Sequence, residues 1–163
     1  MTTSTHDRRP GLGTAAPPVI SPGLGALAAL TAVALVASAY LHLQLAANYA
    51  PNAVAGGTSE GDMFHIQALA SVAAAAGLMI AVMADHRWLG PALLAAAGLL
   101  AGSLTAVVAY RYFDIGKILI LPDMYEPAWF RDKTLSAIIE AAGTIAALTG
   151  ARTAWRYTCR TTS

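Results

Sequence analysis

The sequence predicts an all-α membrane protein: four transmembrane helices in an antiparallel bundle, N-in and C-in. Three observations predict it. Hydrophobic residues make up 56% of the 163-residue chain and charged residues only 12%, about half the roughly 25% charge of a soluble domain. Long apolar stretches recur at residues 24–47, 63–84, 88–110 and 134–151, and Glu140 is the one formal charge inside them. Turn-forming or charged segments separate them. A bilayer core about 30 Å thick needs about 20 helical residues, and each stretch is close to that length. The stretches are apolar on nearly all sides, unlike the one-sided helices of soluble proteins.

Each element has its own signal. Pro22 and Gly23 precede the first span, and residues 1–22 are rich in Thr, Pro and Gly, the composition of a disordered cytoplasmic tail. Arg8 and Arg9, the apolar run and Ala37-Ser38-Ala39 also have the outline of a signal peptide. The run continues past those small residues, however, and is long enough to span. Residues 48–62, rich in Pro, Gly, Asn and Ser, form a loop. The connector 85–88 is so short that the second and third helices must form a tight hairpin, and Pro91 sits in a first helical turn, where its missing N–H costs little. The segment from Arg111 to Lys133 is long and amphipathic and is expected to lie along the membrane surface. Residues 23–152 are thus the membrane domain and 153–163 a second cytoplasmic tail.

Lysine and arginine set orientation. With the N-terminus inside, the basic residues divide six inside against four outside. Trp88 and Trp155 then lie at the inner interface, and Tyr49, Phe64, Tyr110, Tyr112, Trp129 and Phe130 at the outer one. The implied location is the cell membrane, multi-pass, with the lipid bilayer as first partner. Small-residue pairs, Ala73/Gly77, Gly98/Gly102 and Gly143/Ala147, offer close helix packing.

Several function classes are excluded. A net charge of +1 provides no field for nucleic acid, and the lone Cys159 cannot form an internal disulfide. There is no Walker motif, Gly-x-Ser-x-Gly or Cys-x-x-Cys, so no enzyme activity and no cofactor is expected from motifs.

The informative residue is Glu140, because an ionisable group within a span marks a functional hypothesis with a named partner. Lys133, Ser136, Glu140 and Thr144 share one helical stripe, as do Thr31, Ser38 and His42. Polar residues gather in the outer half of the membrane: His42, Gln44, His65, Gln67, Tyr110, Arg111 and Glu140. The expected partner of Glu140 is His42 or Arg111. A structural role is a hydrogen-bonded clasp between helices. A chemical role would use His42, His65 and Glu140 as two nitrogens and an oxygen for zinc or copper, or the two histidines for haem.

The elements around these residues resemble a group of small four-span membrane proteins from actinobacteria. His42, Leu43 and Leu45 match a His-Leu-x-Leu element that ends helix one. Gly61, Phe64 and Gln67 match a Gly-x-x-Phe-x-x-Gln element that opens helix two. Tyr125, Glu126 and Pro127, then Lys133, Ser136 and Glu140, match a Tyr-Glu-Pro loop leading into a glutamate-bearing fourth helix. The resemblance implies the same four-span fold and assigns no activity. Function therefore rests on three readings: a non-enzymatic accessory or interaction subunit of the cell envelope, alone or as a homo-oligomer or with other membrane proteins; a metal-, haem- or proton-handling protein; and a small-solute transporter working as a homodimer.

Overall fold

The computed structural model describes residues 20–49, 58–84, 86–114, 116 and 122–161. Its helices are α1 (Pro22–Tyr49), α2 (Glu60–Ala84), α3 (Leu89–Tyr112) and α4 (Arg131–Thr161), and all four are long and apolar enough to cross a membrane. No strand occurs among the described residues. Most of the expected N-terminal tail, much of the loop at 48–62, and Lys117 lie outside the described residues.

The helices start and stop where local chemistry dictates. α2 begins earlier than its apolar run because Ser59 and Asp62 form a reciprocal cap. The Asp62 amide donates to Ser59 Oγ at 3.0 Å, and the Ser59 amide donates to Asp62 Oδ2 at 2.9 Å. A 3-10 turn at His86–Trp88 joins α2 to α3. α3 stops at extended Phe113. α4 continues well past residue 151, where a tail was expected: no Gly or Pro interrupts the following residues, and Ala151 and Ala154 are buried.

The helices form a ring in chain order, α1 beside α2 and α4, α3 beside α4 and, most sparsely, α2. The interior is layered. At the end near the short α2–α3 connection, the hairpin end, Leu24, Ala28, Leu78, Leu89, Leu93, Ala151 and Ala154 pack together. The middle layer is Ala34, Leu35, Ala96, Ala97, Leu100 and Ala147. Gly143 lets α4 approach there: a Cβ on it would stand 2.6 Å from Ala34 Cβ and 2.8 Å from Leu100 Cδ1. Above this layer, toward the loop end where residues 122–130 lie, polar side chains join the buried set: Ser38, His42, Ser71, Lys133, Ser136 and Glu140, beside Leu41, Leu45, Ala46 and Ala68. Leu30, Val33, Leu69, Ile80, Ile138 and Ile145 point outward, as lipid contact requires.

The small-residue pairs divide. Gly143 and Ala147 are buried between helices, whereas Ala73, Gly77, Gly98 and Gly102 are exposed, and a Cβ on any of those three glycines would meet open space. The expectation that all three pairs pack inside one bundle is corrected. Lipid is as apolar as a helix face, so hydropathy does not distinguish an inward small face from an outward one.

Candidate functional site

Glu140 lies at the centre of the polar layer and is completely buried. Its place on α4 puts Ser136 one turn toward the loop end, and Ser136 Oγ donates to Glu140 Oε1 at 3.1 Å. Ser38 of α1 donates to the same oxygen at 3.1 Å, and Ser103 of α3 at 2.7 Å. Three hydroxyls from three helices thus converge on one carboxylate oxygen. The other oxygen, Oε2, is buried with no hydrogen-bond partner.

His42, one turn beyond Ser38 on α1, completes the layer. Its Nδ1 lies 2.8 Å from the Ser38 carbonyl. A carbonyl only accepts, so Nδ1 carries a hydrogen and donates it. Nε2 then faces Ser103 Oγ at 3.4 Å and Glu140 Oε1 at 3.8 Å. The ring rests against Phe64 of α2, centroids 5.8 Å apart, and Phe64 meets Tyr49 edge-on at 5.4 Å. The predicted His42 partner of Glu140 is in place, although the hydroxyls are the closer donors. Arg111 is not the partner: it sits in the last turn of α3 with its guanidinium 5.1 Å from the Tyr112 ring centroid.

Directly above this layer is a cavity of about 430 Å³, within the roughly 300–1,000 Å³ range of small-molecule sites. His42, Ser103 and Ser136 form the part of its lining that also touches Glu140. Its walls are apolar and aromatic: Leu45, Met63, Phe64, Ile66, Val107 and Phe130 among them. Tyr49, Glu60, Tyr110, Glu126 and Lys133 line it too. Exposed Ile66, Gly102 and Ala106 belong to the lining, so the cavity opens sideways between α2 and α3. The segment before α4 closes the loop end: the Glu126 amide donates to the Tyr110 carbonyl, and Lys133 Nζ donates to the Glu126 carbonyl.

The residues singled out from the sequence separate accordingly. His42, Gln67 and Tyr110 line the cavity and Glu140 lies beneath it. Gln67 Nε2 is buried without a partner. Gln44 and His65 are exposed on α1 and α2. Among the described residues no three His, Cys, Asp or Glu side chains gather as a metal site. The set of His42, His65 and Glu140 is therefore corrected, because the helical register turns His65 away. Ser103, Glu60 and Glu126 were not singled out as site residues. Ser103 sits nine positions before the end of α3, and Glu140 nine after the start of α4. That match gives Ser103 the depth of Glu140 but not the face of α3 it lies on.

No protein-family model matches the chain, and the comparisons with curated proteins and with solved structures return no match.

Proposed function

We propose that the protein is a multi-pass protein of the cell membrane, oriented N-in and C-in, and a non-enzymatic accessory component of the envelope whose cavity holds a small, largely apolar molecule. The observation that carries this is the cavity itself, apolar-walled, open between α2 and α3 and floored by a buried hydrogen-bonded carboxyl group. The residues that carry the actinobacterial resemblance also support it: His42, Leu45, Phe64, Gln67, Glu126, Lys133 and Ser136 all line this cavity. A through-path for a transported solute has less support, since Ala34, Leu35, Leu100 and Ala147 fill the bundle directly below the polar layer.

The test is native mass spectrometry of the detergent-purified protein beside Ala106→Trp, which places an indole in the cavity. A low-mass species is expected in stoichiometric amount on the wild type and absent from the variant. Equal retention by both would remove the cavity as its site.

A second reading is proton handling, favoured by the approach of His42 Nε2 to Ser103 and Glu140. It predicts a carboxylic C=O infrared band that titrates with pH and disappears in Glu140→Gln. A band that ignores pH would end that reading.

A further inference from the structure

The composition of the cavity wall goes further than its volume. Four aromatic rings line it, those of Tyr49, Phe64, Tyr110 and Phe130. Aromatic faces carry negative charge density and attract cations, most strongly where water is excluded. Two acidic residues, Glu60 and Glu126, line the same space, and the Glu126 carboxylate accepts the Ala128 amide at 3.1 Å. The two acidic residues act electrostatically on one another, and Asp123 acts on Glu60 as well. No lysine or arginine forms an ion pair with either among the described residues. The one ammonium in the lining, Lys133, donates to the Glu126 carbonyl, stands 5.9 Å from the Trp129 ring centroid and is attracted by the Glu126 carboxylate, so it offsets one of the two negative charges and leaves the other.

We propose that this cavity binds a hydrophobic monocation, an organic ion with a delocalised or alkyl-shielded positive charge such as a quaternary ammonium or phosphonium. The inference rests on the cavity being a binding site and names its ligand class. An apolar body suits the aliphatic walls, and the sideways opening between α2 and α3 suits entry from the lipid. The rings supply cation–π contact, and Glu60 and Glu126 supply the balancing charge. A compact, hydrated cation such as Na⁺ would forfeit most of its water shell against these walls with few oxygens to replace it. A hydrophobic anion would meet two carboxylates with one ammonium to offset them.

The test uses three probes of similar shape and different charge: tetraphenylphosphonium, tetraphenylborate and neutral triphenylphosphine oxide. Each is titrated calorimetrically into detergent-solubilised wild type, with Ala106→Trp to correct for micelle partitioning. The phosphonium is expected to bind at least about tenfold more tightly than the oxide, with the borate weakest, a ratio in line with cation–π and screened charge contributions. Glu60→Gln and Glu126→Gln, which keep shape and lose charge, should each weaken phosphonium binding about three- to tenfold and leave the oxide unchanged. Binding of the oxide or the borate as tightly as the phosphonium would overturn the monocation and leave the cavity a binding site. No cavity-dependent binding of any probe would overturn both.

Discussion

The α1–α4 side of the bundle and the α2–α3 side are built from similar residues to different ends. In the most apolar window of each helix, 39% of the residues of α1 and of α4 are buried, against 22% for α2 and for α3. Gly143 lets α4 press against Ala34 of α1 and Leu100 of α3, and Ser38, His42, Ser136 and Glu140 are buried above that contact. Between α2 and α3 the cavity opens instead, with Gly102 in its lining, and Ala73, Gly77 and Gly98 are exposed. Alanine and glycine therefore do not by themselves close a membrane bundle. They close it where a hydrogen-bonded layer fixes the register, and elsewhere they leave a gap or a lipid-facing flat.

The largest expected effect breaks that contrast at its tightest point. Gly143→Leu places a branched side chain where a Cβ alone would stand 2.6 Å from Ala34 Cβ. It should destabilise the bundle by about 3 kcal/mol or more, the upper range for overpacking. Gly98→Leu and Gly77→Leu, made in open space, should leave the stability of the single bundle within about 0.5 kcal/mol. Thermal unfolding in detergent measures all three. A Gly98→Leu loss as large as that of Gly143→Leu would show that the α2–α3 face is packed against something.

What could be read in advance follows the same division. The helices were legible because long apolar runs with a single formal charge among them, Glu140, admit few other structures. The inward turn of Glu140 was legible because Ser136 and Thr144 share its stripe, and that stripe differs sharply from Ile138 and Ile145, which face outward. α3 has no such contrast: Leu94, Leu99, Leu104 and Val108 surround it with similar hydropathy, so nothing marked the Ser103 side as the inner one. The cavity was least legible, since it depends on the separation of α2 from α3 and on the fold of residues 122–130 over the helix ends. Neither is a local property of the chain.

A middle-sized effect tests whether the polar layer clasps α1, α3 and α4 together. Glu140→Ala removes the acceptor shared by Ser38, Ser103 and Ser136. Stranded hydroxyls cost about 1–3 kcal/mol each when nothing replaces the acceptor. A helical serine can turn back to the carbonyl of the preceding turn, so a net loss of about 2 kcal/mol is expected. Glu140→Gln retains one acceptor oxygen and should lose less than about 1 kcal/mol. Equal losses for Ala and Gln would show that the carboxyl group needs its charge, and that the layer is more than a neutral clasp.

The smallest effect sharpens the comparison most, because it sets two buried serines of different sides against each other. Ser136 and Ser71 are both almost fully buried. Ser136 donates to Glu140, whereas Ser71 Oγ of α2 has no partner. Interhelical hydrogen bonds in membrane proteins contribute about 0.6 kcal/mol on average and up to about 1.7 kcal/mol, and Ser136 acts within its own helix, so Ser136→Ala should cost about 0.5 kcal/mol. Ser71→Ala removes an unsatisfied hydroxyl and should be neutral or slightly stabilising. Paired unfolding measurements on the two variants and their double mutant would resolve the difference. If Ser71→Ala costs as much as Ser136→Ala, Ser71 has a partner in the working protein. A water or a bound molecule reaching Ser71 past Gln67 would extend the cavity one turn deeper into the α2 side, and the two sides of the bundle would differ less than their packing implies.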